Sequence, residues 1–172
     1  MLEVREGRGQ VYLRAFVGVD VVRRVLLRET TRRPGAGNTI VMRIYVAGYF
    51  DTRDRLRPFV ARLREIGNEV VSRWMAEPDG AAYATSTEAY LTECAIRDLE
   101  DIQKAEVVIV DTIDETPRGG REFEAGFAHG IGRIVYIVGP ARNVFHRLAR
   151  ERWGTWDEAF SSGRFGDPVP RR

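Results

Sequence analysis

Glu124 is a carboxylate placed where it could act as a nucleophile, at the start of an apolar helical stripe. Phe127, Ala128 and Ile131 follow it at i+3, i+4 and i+7, so Glu124 begins the face that packs on the core. Glu122 lies roughly 200° away around the same helix, so the two acids cannot face one pocket. Backbone N–H groups in a first helical turn favour an ionised carboxylate, which suits a nucleophile and equally suits a plain capping residue.

The elements that must position Glu124 alternate between strand and helix from residue 42 onward. Short apolar runs predict buried parallel strands at residues 42–48, 69–74, 106–111 and 133–138. Amphipathic stripes predict helices at residues 54–66, 87–104 and 121–131, and short helical turns at 143–149 and 156–160. Such alternation with short connections implies right-handed crossovers, so we expect an α/β fold with a doubly wound parallel sheet in a single domain.

The carboxyl edge of this predicted sheet gathers four loops, at residues 45–50, 75–86, 111–120 and 139–143. Open parallel sheets bind ligands at that edge. Glu124 belongs there because its helix follows the third predicted strand. The sequence therefore predicts one ligand site at this edge, with Glu124 in it.

The composition excludes several other classes of protein. A chain of 172 residues suffices for one domain with a sizeable core. Lys+Arg 27 against Asp+Glu 25 is near balance, and no basic run interleaves with aromatic residues, so nucleic-acid binding is not indicated. A single cysteine, Cys94, and two histidines argue against disulfides and metal centres, and we expect neither a metal nor a cofactor. Without a membrane-spanning run or a secretion leader, we expect a cytoplasmic protein.

Both ends of the chain differ from the alternating core. Residues 10–19 are strand-like and a linker follows, so residues 1–41 are either a dispensable extension or an ordered hairpin docked on the domain. Residues 161–172 predict a flexible tail. The predicted boundaries are an N-terminal extension at 1–41, a domain at 42–160 and a tail at 161–172.

Three patches together resemble the nucleoside 2-deoxyribosyltransferase family over roughly residues 42–160. IYVAGYF (44–50) is similar to the family's first strand and aromatic loop, and RDLEDIQKAEVVIVD (97–111) to a helix end and strand. GGREFEAGFAHGIGRIVYIVG (119–139) is similar to the family's glycine, E-x-G-x-A and strand pattern, and it is the most specific of the three. The resemblance implies a flavodoxin-like fold.

The resemblance also implies roles for individual residues. Glu124 stands at the nucleophile position, Tyr45 matches a tyrosine beside it, and Asp98 takes the place of an aspartate that contacts the nucleobase. The implied substrate-binding positions are Gly48, Tyr49, Phe50, Asp114, Arg118, Gly120 and Asn143.

One position departs from the family's pattern. Many members carry an acid six residues before the nucleophile to hold the sugar hydroxyls, and here that residue is Arg118. Asp114 could substitute from the same loop. Tyr49 and Phe50 in the first loop favour an uncharged nucleoside over a monophosphate. A substrate that carries a phosphate stays possible because three arginines lie in these loops: Arg53, Arg55 and Arg118.

The implied reaction exchanges the base of a 2-deoxynucleoside. Glu124 would form a covalent deoxyribosyl ester, Asp98 would hydrogen-bond or protonate the departing base, and Tyr45 would orient Glu124. Attack by a second base gives exchange with retention, whereas attack by water gives hydrolysis. The implied partners are a small-molecule deoxynucleoside and a free nucleobase, as in nucleoside salvage.

Two other classes stay open: a deoxynucleoside or deoxynucleotide N-glycosidase, and a non-catalytic nucleotide-binding module of the same fold. Asp98 could be a solvated helix residue and Tyr45 a core aromatic. In an unbroken helix from Thr87, Asp98 would lie about 16 Å along the axis, too far from the strand ends. We therefore expect the helix to break near Ile96 or Arg97.

A homo-oligomer, a dimer or larger, is expected. The edge after the fourth predicted strand is open, and Trp153 and Trp156 leave apolar surface that one small domain does not cover. In the family that the chain resembles, residues after that strand often contribute to the site of a neighbouring subunit. Asn143 and His146 stand at that place in this sequence. A capping asparagine and a surface histidine are the alternative.

Overall fold

The computed structural model describes residues 6–7, 10–11, 41–76, 86–115 and 119–166. The strands within them are β1 (Glu6–Gly7), β2 (Gln10–Val11), β3 (Arg43–Ala47), β4 (Glu69–Val70), β5 (Val107–Asp111), β6 (Ile134–Val138) and β7 (Glu151–Trp153). The α-helices are α1 (Arg53–Glu65), α2 (Glu88–Lys104), α3 (Gly120–Gly130) and α4 (Trp156–Ser161). Short 3₁₀ helices lie at Phe50–Thr52, Arg73–Ala76 and Val144–Leu148.

Five strands form one sheet in the spatial order β4-β3-β5-β6-β7, and every neighbouring pair is parallel. Numbered within the sheet this order is 2-1-3-4-5, that of flavodoxin-like folds, and it reverses between β3 and β5. The predicted α/β class with a doubly wound parallel sheet is therefore confirmed. A ligand crevice is expected outside the carboxyl ends of β3 and β5, where the strand order reverses.

The central strands are mostly apolar because helices cover the sheet, and their charged residues are Arg43 at the start of β3 and Asp111 at the end of β5. In β3, residues Ile44 to Ala47 are fully buried, and all five residues of β5 are buried as well. Helices α1 and α4 meet where the rings of Phe59 and Trp156 stack, with centroids 5.0 Å apart. Helices α2 and α3 pack against each other.

Strand β4 is shorter than the strand predicted at residues 69–74, because side chains replace its hydrogen-bond ladder to β3 beyond the Val71 N–H, which still donates to the Ile44 carbonyl. The Ser72 hydroxyl accepts from the N–H of Val46 at 2.6 Å, and Trp74 Nε1 donates to the Val46 carbonyl at 2.9 Å. The chain therefore turns into the 3₁₀ helix at Arg73–Ala76 while it stays attached to β3.

A fifth strand, β7, covers the edge that the sequence left open. It pairs with β6 through Tyr136, Ile137 and Val138. Trp156 is only 2% exposed, so the expectation that it leaves apolar surface is wrong. The argument for an oligomer from an open edge after the fourth strand therefore fails, and the oligomer itself stays a prediction.

The position of Phe165 shows that the predicted start of the flexible tail, at residue 161, is too early in the chain. Its side chain is 1% exposed and packs against Tyr136, Trp153 and Phe160. Its carbonyl accepts from Asn68 Nδ2 at 2.9 Å. The core therefore extends to Phe165, and residues 167–172 lie outside the described residues.

At the N-terminus, β1 and β2 form a two-residue antiparallel ladder. The rest of residues 1–40 lies outside the described residues, so the dispensability of the extension stays a prediction. Among the described residues, no helix is long and apolar enough to cross a bilayer.

Candidate active site

The Tyr45 hydroxyl donates a hydrogen bond to Glu124 Oε1 over 2.7 Å. Tyr45 lies in the middle of β3 and is fully buried. Glu124 is partly buried and lies in the second turn of α3, so its predicted place in the first turn is wrong and Glu122 is the acid there. Residues 79 positions apart in the chain thus meet, one from the middle of β3 and one from the helix that follows β5. The pair lies where flavodoxin-like sheets bind ligands.

Both groups of this pair have pKa values shifted upward. Burial raises the pKa of Glu124 to about 8, and the negative charge of Asp98 adds to the rise, while the Tyr45 hydrogen bond and Arg121 oppose it. Burial also raises the pKa of Tyr45 well above its usual value, with further contributions from Glu124 and Asp98. The tyrosine is therefore a hydrogen-bond donor at all ordinary pH values.

Asp98 belongs to the same group of side chains. Its pKa is raised to about 6, first by burial and also by Asp101, against the positive charges of Arg97 and Arg73. Within the described residues, its Oδ1 atom is buried and has no hydrogen-bond partner. A buried carboxyl oxygen without a partner is costly, so this atom is available to a ligand donor or to a proton.

The expected helix break before Asp98 is absent, because α2 runs unbroken from Glu88 to Lys104. Asp98 reaches the site because the first part of α2 extends beyond the sheet edge. Arg73, just after β4, donates to Asp101 from its backbone N–H at 3.0 Å and from Nε at 2.8 Å. Asp101 is therefore level with the strand ends, and Asp98 lies one turn beyond it.

The loop after β3 forms an aromatic wall near this site. Gly48 packs so closely that a Cβ there would lie 2.6 Å from Leu56 Cδ1. The Phe50 ring lies between Trp74, at 6.4 Å between centroids, and the Arg53 guanidinium, at 4.4 Å from the ring. Tyr49 precedes the 3₁₀ helix at Phe50–Thr52 and is partly buried.

The loop after β5 holds Asp114 in an ion pair rather than free. Arg55 Nε donates to Asp114 Oδ2 at 2.8 Å, and Arg55 Nη2 donates to Asp111 Oδ1 at 2.7 Å. Asp111 is 2% exposed and also accepts from Trp156 Nε1 at 2.7 Å. Gly120 begins α3, and Arg118 lies outside the described residues.

Glu122 and Glu124 face different neighbours, as the helical spacing predicts. Glu122 Oε2 lies 2.6 Å from His146 Nε2 and 2.7 Å from Asn143 Nδ2. Asn143 caps the 3₁₀ helix at Val144–Leu148 through its Oδ1 atom, and His146 is 4% exposed. The structure therefore places Asn143 with Glu122 rather than with Glu124, and the alternative of a surface histidine is wrong.

An apolar groove of about 530 Å³ lies on the Glu122 face of α3 and not on the Glu124 face. Phe123 and Phe145 line it and are 64% and 69% exposed. The groove is thus separate from the Tyr45–Glu124 pair, with α3 between them.

Sequence inspection missed several residues that frame the site. Ser72 and Trp74 fix the end of β3, Asp111 and Arg55 fix the loop after β5, and Arg121 links that loop to α3. A buried-strand aspartate at position 111 and an arginine at the start of an apolar helix were the available signals, since charges at such positions need partners.

This fold and site geometry define a flavodoxin-like α/β protein with two carboxyl groups and a tyrosine at the sheet's reversal point. No family model and no curated protein matches the chain. Among solved structures, a 2-deoxyribosyltransferase from Bacillus psychrosaccharolyticus is similar, with 19% identity, coverage of 74% of this chain and 99% of that one, and a TM-score of 0.55. A CMP N-glycosidase from Clostridium botulinum has 15% identity, coverage of 70% and 96%, and a TM-score of 0.48. At 19% identity, the likeness to the 2-deoxyribosyltransferase concerns the fold alone.

Proposed function

We propose that the protein is a nucleoside 2-deoxyribosyltransferase that works through a covalent deoxyribosyl-glutamate intermediate on Glu124. The observation that carries this proposal is the Tyr45–Glu124 hydrogen bond of 2.7 Å, with Asp98 beside it, at the sheet edge where ligands bind. Nucleophile and acid are the two functions that cleavage of an N-glycosidic bond requires. The resemblance of residues 44–50, 97–111 and 119–139 to that family supports the same assignment.

In the first half-reaction, the ionised Glu124 carboxylate attacks the anomeric carbon while the bond to the base breaks. The bonding electrons leave with the base, and a proton from Asp98 neutralises them. Tyr45 holds Glu124 Oε1, which leaves Oε2 to form the ester. In the second half-reaction a different base attacks from the face that the first base left, Asp98 takes its proton, and Glu124 is released.

The protonation states of Glu124 and Asp98 are compatible with these two half-reactions, but only a minority of the molecules are in the reactive protonation state. With pKa values of about 8 for Glu124 and about 6 for Asp98, one proton is shared at neutral pH and lies mostly on Glu124. The reactive form has that proton on Asp98. Positive charge developing on the sugar favours this form, because it stabilises the Glu124 anion.

The substrate is proposed to be an uncharged deoxynucleoside. Tyr49 and Phe50 occupy the loop after β3, and an aromatic wall suits the flat face of a base. Arg55 is held by Asp111 and Asp114, and its charge is thereby offset by two carboxylates.

The test is incubation of the protein with one deoxynucleoside, with and without a second free base, followed by chromatography of the products. A new nucleoside that appears only with the second base supports the transferase. Free deoxyribose and free base in both incubations support the N-glycosidase instead. Binding without any product, and unchanged in Glu124→Ala, supports a non-catalytic module.

A further inference from the structure

Glu122 is the centre of a hydrogen-bond network that joins α3 to the segment after β6 and, through Arg121, to the loop after β5. Its Oε1 accepts from Arg121 Nη2 at 2.7 Å and from Arg121 Nε at 3.1 Å. Its Oε2 accepts from Asn143 Nδ2 at 2.7 Å and lies 2.6 Å from His146 Nε2. Both carboxylate oxygens are therefore used, and the partners come from α3 and from the segment after β6.

The groups that face Glu122 can only be donors. His146 Nδ1 accepts from the backbone N–H of Arg142 at 3.0 Å, so in the neutral ring Nε2 carries the proton and donates to Glu122. Asn143 Oδ1 accepts from two backbone N–H groups of the following 3₁₀ helix, so its amide nitrogen faces Glu122. The guanidinium of Arg121 has no acceptor. Position 122 therefore requires an ionised carboxylate.

The charge state of Glu122 agrees with this requirement. Burial raises its pKa, but the hydrogen bonds from Arg121 and His146 outweigh burial and hold the pKa below its usual value. Glu122 and Glu124 thus have opposite shifts although they are two residues apart.

Arg121 carries the network to the loop after β5. Its side chain is buried, and Nη1 donates to the carbonyl of Asp111 at 3.0 Å and to the carbonyl of Asp114 at 3.1 Å. With Nε and Nη2 held by Glu122, the guanidinium fixes the first turn of α3 against the end of β5. Glu124 leaves α3 one turn later, toward Tyr45 on the neighbouring strand.

We propose that Glu122 is a positioning residue for Glu124: it holds Arg121, and through Arg121 it sets the orientation of α3 that brings Glu124 to Tyr45. This inference rests on the proposed function. It predicts that loss of the acceptor at position 122 slows the covalent step more than it weakens substrate binding.

The experiment measures the rate of deoxyribosyl ester formation on Glu124, by rapid quench and intact mass, together with kcat and KM for a deoxynucleoside. Glu122→Gln keeps the size of the side chain, but its NH₂ group must meet a donor whichever way it points. We expect ester formation to slow at least about tenfold while KM changes by about twofold or less. Glu122→Asp, which keeps an ionised acceptor, is expected to recover part of the rate.

The matched control is Asn68→Ala. Asn68 is buried, whereas Glu122 is partly buried, and its side chain makes two hydrogen bonds, to Met42 and Phe165, far from the site. Its replacement therefore measures the effect of lost stability alone. If Glu122→Gln is insoluble, His146→Leu, which removes one of the four bonds to Glu122, is expected to change the rate in the same direction.

The outcomes separate this inference from the proposed function. A reactive wild type, with Glu122→Gln no slower than Asn68→Ala at an equal loss of Tm, overturns the positioning role alone. A wild type that forms no ester overturns the proposed function and this inference with it.

Discussion

Glu122 and Glu124, two residues apart on α3, hydrogen-bond to different parts of the fold. Glu124 accepts from Tyr45 on β3 at 2.7 Å, and Glu122 lies 2.6 Å from His146 Nε2 after β6. The two acids have pKa shifts in opposite directions, upward for Glu124 and downward for Glu122. Their chemistry is thus set by their neighbours rather than by the local sequence.

Replacing Glu124 by glutamine is expected to lower the rate of base exchange by orders of magnitude while the fold is kept. Glutamine preserves the shape of the side chain and removes its charge and nucleophilicity. Product formation and intact mass after an acid quench measure the effect, and the wild type should show a deoxyribosyl adduct at residue 124. Glu93→Gln, an exposed acid on α2, is the control, because Glu122 is itself part of a network. Equal activity of Glu124→Gln and wild type contradicts the covalent route.

The rate should have a bell-shaped dependence on pH with an optimum near neutrality. The reactive form needs Glu124 ionised and Asp98 protonated, so kcat/KM should fall below a pH of about 6 and above a pH of about 8. Tyr45→Phe removes a hydrogen bond that lowers the Glu124 pKa, so the basic limb should move to higher pH and the plateau should fall. Initial rates between pH 5 and pH 10 give both limbs, and an unmoved basic limb in Tyr45→Phe argues against this assignment.

Glu124 should also make the stability of the fold depend on pH. Its folded pKa of about 8 lies above its ordinary value of 4.5, so the folded state binds the proton more tightly. That stabilisation is complete below a pH of about 4.5 and is lost as the pH rises through about 8. Relative to wild type, Glu124→Gln should therefore gain roughly 2–4 kcal/mol in free energy of unfolding across this range. Urea titrations at low and high pH measure the gain, and a constant difference between the two proteins contradicts the shift.

Asp98→Asn should slow cleavage of deoxynucleosides whose base is a poor leaving group more than cleavage of those whose base is a good leaving group. The amide cannot supply the proton that a departing base needs, and general acid catalysis contributes roughly 10²–10⁴ in rate. A deoxynucleoside whose base leaves readily without protonation depends less on that proton, so its kcat/KM should fall less in Asp98→Asn. The ratio of kcat/KM values for the two substrates, variant against wild type, tests this. An equal loss for both substrates points to a structural role for Asp98.

Gly139→Ala should destabilise the fold by about 2–4 kcal/mol. Gly139 has φ +117°, and a Cβ there would lie 2.7 Å from the Ile113 nitrogen and 2.7 Å from Thr112 Oγ1. Gly130→Ala, where a Cβ meets nothing within 4 Å, is the control and should be neutral or slightly stabilising. Thermal unfolding of both variants compares them, and similar Tm values would show that the loop after β6 yields to the added methyl group.

The sequence by itself determined the alternation of strand and helix and the separation of Glu122 from Glu124 around one helix. Continuous apolar runs identified four of the five strands of the parallel sheet, and helical spacing separated Glu122 from Glu124, because both signals are local and periodic. The short strand β7 was not visible, since Glu151–Trp153 has no apolar run and owes its conformation to pairing with β6. A strand of this kind is specified by its neighbour.

Only the tertiary structure decided which distant groups share the site. The sequence-based argument against Asp98, a distance of about 16 Å along the helix axis, assumed that α2 begins at the sheet edge, whereas the Arg73–Asp101 contact places the last turn of the helix there. The network around Glu122 likewise joins residues 21 and 24 positions apart, which no local pattern signals. Periodicity reports which face of an element is apolar, but how far one element slides along another is set by long-range contacts such as these.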